Sequence, residues 1–307
     1  MEISIIIPVY NAEKYLVRCL DPVLSSLKNA EGELILIDNN STDGSLKILE
    51  EYKEKNKNVR ILECKTPGAS AVRNFGVKEA RGKYLWFVDA DDCIDKMAVE
   101  KLLAIAKKNN SDITMMGAKR LYRDGSSSYL SAVDEKMKNY KSRFIRYGMG
   151  PWQIIIKREW WNENGFKFKE GIIHEDMEMM SSLILHTDNY ASIDEPLYFY
   201  YENPESVLHK TKWDKHYLDI FDALEGLFNR FKDVGAEKKY HDELEWFFIW
   251  NLLIDSAKDF SKFPEGKIGF KRTRKMLKEY FPGWRKNRFL KEKSLKLRLL
   301  VRLNYYK

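Results

Sequence analysis

The sequence predicts an α/β fold: a doubly wound sheet flanked by helices and followed by a helical region. Three observations predict it. Short runs rich in β-branched residues alternate with amphipathic stretches over the first half of the chain. Several of these runs stop abruptly on Asp or Asn. From about Trp213 the strand-like runs give out and apolar residues recur at helical spacing. A boundary near residue 210 follows, with residues 1–210 holding the sheet and 211–307 forming the helical region.

Ile3 to Ile7 is nearly continuous in β-branched residues, as in a strand buried on both faces, and Pro8 is expected to end it. A helix from about Ala12 to Leu27 follows, with Pro22 expected to kink or break it. Glu33–Ile37 reads as a second buried strand, closed by the polar turn Asp38-Asn39-Asn40-Ser41-Thr42-Asp43-Gly44. Helix Ser45–Asn56, strand Val59–Cys64 and helix Ala71–Ala80 come next, and Arg81-Gly82 leads into the apolar run Tyr84–Val88. Met97–Lys108 has helical periodicity and Asp112–Tyr122 reads as a strand, with a hairpin partner over Tyr129–Lys136. After a helix at Lys141–Tyr147, residues 151–161 read as strand then helix start. A helix runs from His174 to about His186, and Ala191–Asp194 and Leu197–Tyr201 read as two short strands. Beyond the boundary, helices are expected over Tyr217–Phe231, Glu237–Phe260 and Lys271–Tyr280.

With 307 residues, 44% hydrophobic and 13% aromatic, the chain can bury a sizeable core, which excludes a low-complexity or disordered protein. Three cysteines without a CxxC exclude a disulfide scaffold and a cysteine-type zinc site. The opening strand has neither the basic start nor the cleavage site of a signal peptide, and no apolar run reaches membrane-spanning length. A cytoplasmic protein is expected, soluble or peripheral on the inner face of the plasma membrane. The net charge of +7 is concentrated at the end of the chain, where residues 284–307 hold nine Lys/Arg and one acid, Glu292. Leucines and aromatics lie among these cations, as in helices that bind a membrane surface; the alternative is a solvated basic helix packed on its own domain. Nucleic acid is not expected, since no zinc-finger spacing or RNA-binding pattern accompanies the charge.

Chemistry concentrates after the Tyr84–Val88 run, which ends on Asp89, Asp91 and Asp92. Three carboxylates at the end of a buried strand repel one another unless a hard divalent cation sits among them. The carboxyl ends of strands are also where open α/β sheets bind ligands. A solvated acidic turn is the alternative.

Four motifs occur in order: Ser-Ile-Ile-Ile-Pro-Val-Tyr-Asn-Ala-Glu at 4–13, Ile-Asp-Asn-Asn-Ser-Thr-Asp-Gly at 37–44, Gly-Ala-Ser-Ala-Val-Arg-Asn-Phe-Gly at 68–76 and Asp-Ala-Asp-Asp at 89–92. With the pair Glu175-Asp176, they resemble the family 2 glycosyltransferases of bacterial polysaccharide and lipopolysaccharide assembly. The resemblance covers residues 3 to about 208. It implies the GT-A fold, a Rossmann-like mixed sheet flanked by helices, here with a C-terminal helical extension. It also implies inverting transfer of a sugar from a nucleotide-diphosphate donor, UDP-linked in the usual case, to a hydroxyl of a glycan or lipid-linked acceptor.

Each role is carried over by position. Asp89 and Asp91, with Ala90 between them, match the DXD motif that touches ribose and metal, the metal being Mn²⁺ or Mg²⁺ acting as a Lewis acid on the leaving diphosphate. Asp176 matches the base that takes the acceptor proton; Glu175 beside it is expected to raise its pKa or orient the acceptor. Pro8, Val9, Tyr10 and Asn11 match the loop that contacts the base, with Tyr10 placed to stack on it. Asp38 matches the first acid of the family's usual Asp-Asp pair, and Asn39 replaces the second, which usually accepts the uracil N3–H. Arg73 matches an arginine beside base and phosphate. Trp152 is the candidate acceptor-site aromatic, and His209 the candidate additional metal or phosphate ligand. Glu202 stands near a place where the family commonly carries an arginine. A nucleotidyltransferase on a similar sheet is a competing reading, weakened because Val9-Tyr10-Asn11-Ala12 is not a basic glycine-rich loop. The other is a non-catalytic nucleotide-sugar-binding protein.

Overall fold

Four parallel strands form one half of the sheet. In the computed structural model, which describes residues 1–132, 140–203 and 212–307, β1 (Ile3–Val9), β2 (Gly32–Asp38), β3 (Val59–Glu63) and β4 (Tyr84–Phe87) alternate with α1 (Leu16–Leu27), α2 (Ser45–Lys55) and α3 (Ala69–Glu79). β1 pairs in parallel with β2 and β4, and β2 with β3. Every residue of β2, and every residue of β1 except Pro8, is buried. This is why the two runs lack the alternation of a half-exposed strand.

The chain continues through β5 (Cys93–Ile94), α4 (Ala98–Asn109), β6 (Ile113–Leu121), β7 (Ser127–Leu130), α5 (Tyr140–Tyr147), β8 (Ile154–Lys157), α6 (Arg158–Glu163), α7 (Glu175–Leu183) and β9 (Tyr190–Tyr201). The sheet order is β3-β2-β1-β4-β8-β6-β9-β5, with β7 on β6. Antiparallel β8 joins β4 to β6, so the sheet is mixed, as expected. One layer of the core packs Ile5, Ile7, Leu34 and Trp86 under Leu16, Leu20 and Val23 of α1 and Leu102 of α4, each side chain contributing roughly 1.5–3 kcal/mol by burial.

Three expectations are corrected. Pro8 does not end β1: it pairs in register with Ile37, beyond the last β1–β4 pair, Ile6 with Phe87, so no ladder on that side needs its missing N–H. Pro22 does not break α1, which starts at Leu16 and runs through it; burial of Leu20, Val23 and Leu27 offsets a proline cost of about 3 kcal/mol. The two short strands near residue 195 are one, because β9 keeps its pairing with β6 across an irregularity in which Met116 faces Ile193 and Gly117 faces Pro196. A Cβ on Gly117 would stand 2.7 Å from the Glu195 carbonyl oxygen, so only glycine fits there.

A buried polar knot sets the entry to β4. Glu33 Oε1 accepts from Ser4 Oγ at 2.7 Å and from the Arg81 N–H at 2.7 Å, and its Oε2 accepts from Arg60 Nη1 at 2.9 Å. Burial pushes the Glu33 carboxyl up, but the bonds from Ser4, Arg60 and Arg81 prevail and hold it below its usual range. Gly82 sits under this knot, where a Cβ would lie 2.4 Å from the Ile3 carbonyl carbon and the Ser4 nitrogen. Since backbone cannot step aside, Gly82→Ala is expected to destabilise the protein by about 1–3 kcal/mol, read as a lower denaturation midpoint at unchanged slope.

The chain divides into two compact units. The first takes the described residues of Met1–Lys136, Gly150–Gly171 and Thr187–Pro204 and holds the whole sheet. The second takes those of Met137–Met149, Ile172–His186 and Glu205–Lys307. Its helices are α5, α7, α8 (Asp219–Asp233), α9 (His241–Trp250), α10 (Ser256–Phe260), α11 (Lys267–Tyr280), α12 (Arg288–Lys291) and α13 (Leu295–Tyr306). The helical unit is therefore not the contiguous stretch 211–307, since two earlier segments pack into it. α9 explains why: Leu244, Trp246, Phe247, Phe248 and Ile249 are all buried, so the helix needs cover on every side. α5 supplies part of that cover, with Ser142 Oγ donating to Glu243 Oε1 at 2.7 Å. Among the described residues no helix is long and apolar enough to cross a membrane.

Candidate active site

The carboxyl ends of β1, β2 and β4, adjacent in the sheet, bring most of the expected donor-site residues together in the first unit. Val9 closes β1 and is buried, while Tyr10 is 62% exposed at the rim, its ring open for stacking. Asn11 takes a left-handed conformation, φ 47°. Its Oδ1 accepts from the Thr42 N–H at 2.8 Å, tying the loop after β1 to the loop after β2. Asp38 pairs with Val9 at the end of β2. Its Oδ2 accepts from the Ser41 N–H, and its Oδ1 is buried without a hydrogen-bond partner among the described residues. Asn39 is engaged in full: its amide donates to the Cys64 and Thr66 carbonyls at 2.7 and 2.8 Å, and its Oδ1 accepts from the Gly68 N–H at 2.9 Å. An aspartate could not donate those two bonds, so Asn39 serves to fix the loop that starts α3.

Arg73 projects from α3, buried, and donates from Nη2 to Asp89 Oδ1 at 3.1 Å. The acidic loop then distributes its carboxylates unequally. Asp92 is inside, accepting from Tyr198 Oη at 2.7 Å and from the Tyr201 N–H at 2.8 Å. Burial, followed by the charges of Asp89 and Asp91, pushes its carboxyl well above the usual range. Asp91 is raised too, by burial first and then by Asp89, with the Asn203 amide, 2.8 Å from Oδ2, pulling the other way. Ala90 is buried between them.

The donor set fits a hard divalent cation at Asp89 and Asp91. Among the described residues, Asp89 Oδ2 and Asp91 Oδ1 have no protein hydrogen bond, which leaves one carboxylate oxygen on each. Two carboxylates suit Mg²⁺ or Mn²⁺, which complete their shells with phosphate oxygens and water. The one group of three His, Cys, Asp or Glu ligand atoms within 4.8 Å among the described residues is elsewhere, at His241, Asp242 and Glu245. There Arg288 pairs with Asp242 and Asn287 donates to Glu245, so both carboxylates already serve to dock α12.

Other expected residues fall outside this cluster. Trp152 is stacked on Tyr198 at 4.6 Å and Tyr200 at 5.7 Å and packs against the core, so much of its ring is taken up inside the fold. Glu175 and Asp176 belong to the second unit, in the first turn of α7. His174 ahead of them is left-handed at φ 73°, and Asp176 Oδ1 accepts from the Met177 N–H at 2.9 Å. Burial lowers the pKa of the His174 ring against the opposing charges of Glu175, Asp219 and Asp259. His209 lies outside the described residues.

Two residues at the acidic loop escaped the sequence reading. Arg18 of α1 is exposed, lies 3.7 Å from the Tyr201 ring centre and donates to the Asp91 carbonyl. Asn203 bridges the Asp91 carboxylate and Tyr15 Oη. Their partners are distant in sequence, so neither spacing nor composition signals them; the one local hint is Tyr15, one turn before Arg18 on the same helix face.

The sequence model described as glycosyl transferase family 2 matches residues 4–162, about half the chain. Among curated proteins, the chain is 29% identical over 256 residues to the uncharacterized glycosyltransferase EpsJ of Bacillus subtilis, spanning 77% of this chain and 72% of that protein. It is 36% identical over 172 residues, 55% of this chain and 27% of that protein, to a poly(ribitol-phosphate) beta-glucosyltransferase of Bacillus spizizenii. Among solved structures, TarS of Staphylococcus aureus in complex with UDP-GlcNAc superposes with a TM-score of 0.76 at 22% identity, covering 99% of this chain and 88% of that one. The superposition shows a shared GT-A fold.

Proposed function

The chain belongs to glycosyl transferase family 2, and from that premise we propose that it moves a sugar, with inversion, from a UDP-sugar to a hydroxyl of a glycan or lipid-linked acceptor in cell-surface polymer synthesis. That the chain is a glycosyltransferase follows from the family; donor, acceptor and residue roles are the proposal. One observation carries it: Asp38 at the carboxyl end of β2, and the Arg73–Asp89 pair and Asp91 beyond the carboxyl end of β4, stand on either side of β1. Relatives that glucosylate poly(ribitol-phosphate) support a polyol or glycan hydroxyl as acceptor. The TarS complex supports a uridine donor. The reaction is assigned to the cytoplasmic face of the membrane, with contact to the membrane surface through residues 284–307.

Tyr10 stacks on the base in this proposal, and the Asp38 carboxylate accepts the uracil N3–H that the family's second acid usually takes, because Asn39 is committed to its loop. Asp89 and Asp91 hold the divalent cation, which when bound offsets charge on the leaving diphosphate. Arg73 holds Asp89 in orientation through its Nη2 bond to Oδ1. Asp176 takes the proton from the acceptor hydroxyl as that oxygen attacks the anomeric carbon and the bond to the diphosphate breaks.

A thermal-shift screen with UDP, GDP, CDP and dTDP, each with and without Mn²⁺, tests the donor reading. A metal-dependent rise with UDP is expected. A rise with GDP or CDP alone overturns the uridine assignment, and no rise with any of them overturns the nucleotide site. Arg18, stacked on Tyr201 beside Asp91, is placed to reach the diphosphate and can supply the cation that Glu202 does not. Arg18→Gln is expected to weaken UDP binding about tenfold while leaving UMP unchanged, as read by titration calorimetry. Equal losses for both nucleotides would remove that role.

A further inference from the structure

We propose that α13 is an interfacial anchor that seats the protein on an anionic lipid surface through an outward-facing leucine stripe. The inference rests on the proposed contact with a membrane surface and assigns it to particular side chains.

Surface helices of soluble proteins turn their apolar stripe inward. In α13 the stripe points out. Leu295, Leu299, Leu303 and Tyr306 are 63%, 49%, 64% and 72% exposed, and steps of four, four and three residues place them on one face. The opposite face carries the buried Val301 and Asn304. Asn304 Nδ2 donates to the Leu253 carbonyl at 2.9 Å, and Arg274 donates to the Tyr305 carbonyl at 3.3 Å. Trp284 packs on the Tyr305 ring at 5.1 Å. The helix is thus fixed on the second unit by its polar and small-apolar side while its large leucines meet solvent, a costly arrangement unless something covers them.

Charge complementarity identifies the cover. At 3.6 residues per turn, the exposed Arg302 borders one edge of the stripe and the exposed Lys296 the other. An apolar band flanked by long cationic side chains matches the layering of a bilayer surface, with acyl chains beneath and phosphate headgroups around the rim. Tyr306, held by Arg285 Nη2 at 3.1 Å, adds an aromatic of the kind that settles at that boundary. A second copy of this chain would meet these flanking cations with its own, so like charges oppose that pairing.

The experiment sediments the full chain with vesicles of phosphatidylcholine, alone or mixed with phosphatidylglycerol, and compares wild type with Leu299→Glu/Leu303→Glu. Wild type is expected to sediment with the mixed vesicles and not with the neutral ones. The double variant, with its thermal midpoint unchanged because both leucines are exposed, is expected to bind at least about tenfold more weakly. Lys296→Gln/Arg302→Gln is expected to reduce the preference for anionic vesicles and its sensitivity to salt. Failure of wild type to bind mixed vesicles overturns the membrane contact altogether. Binding by wild type and the leucine variant alike leaves that contact standing and overturns the role of α13. A wild-type dimer that the leucine variant converts to monomer, seen by light scattering without vesicle binding, reassigns the stripe to self-association and overturns the proposal.

Discussion

Replacing Asp176 by Asn is expected to cut sugar transfer about 10²- to 10⁴-fold while UDP binding stays near wild type. The two side chains have the same shape, and the Asn carbonyl can still accept the Met177 N–H that Asp176 Oδ1 accepts at 2.9 Å, so the start of α7 survives. What is lost is the ability to take a proton from the acceptor hydroxyl, since an amide is not a base at neutral pH. Initial rates with a UDP-sugar and a polyol or glycan acceptor, beside UDP titrations, check this. Near-wild-type transfer by Asp176→Asn would remove it from the base role. Glu175→Gln is the companion: an orienting or pKa-raising role predicts a smaller loss, with a shifted pH profile in the second case.

Asp91→Ala is expected to abolish the metal-dependent part of UDP binding and to lower turnover by about two to three orders of magnitude. The structure gives this prediction an internal contrast. Among the described residues, Asp91 keeps an oxygen clear of protein hydrogen bonds, whereas both oxygens of Asp92 are spent on Tyr198 and Tyr201. Asp92→Ala should therefore lower the denaturation midpoint, by leaving a buried hydroxyl and amide unpaired, before it touches metal dependence. Equal metal-dependent UDP shifts in wild type and Asp91→Ala would sink the assignment of the cation to the DXD acids.

Much of the sheet was legible because each central strand announces itself locally. Ile3–Ile7 and Glu33–Ile37 are nearly continuous apolar runs, and the same property that marks them, burial on both faces, keeps them off the edge of the sheet. Their polar ends followed, so Tyr10, Asp38 and Asp89 could be assigned to one rim before any pairing was known. Less legible was the partition of work within each motif. Asn39 looks like a base-reading residue from its place in the motif, yet three hydrogen bonds commit it to the loop at 64–68. Asp92 looks interchangeable with Asp89 and Asp91, yet it is the one turned inward.

The amino-acid sequence by itself determined the strand and helix types, the doubly wound start of the sheet, the family, and the amphipathic, cationic character of the last helix. Each is set by side-chain periodicity and local backbone preference over a few residues, which no distant contact needs to complete. Only the tertiary structure decided that β9 is one bulged strand on β6, that residues 140–147 and 172–186 pack with the helical unit, that Arg18 sits on Asp91, and that the leucines of α13 face out. Those outcomes depend on which buried groups find partners across long stretches of chain. Hydrogen-bond satisfaction and close packing are settled between elements, not within them.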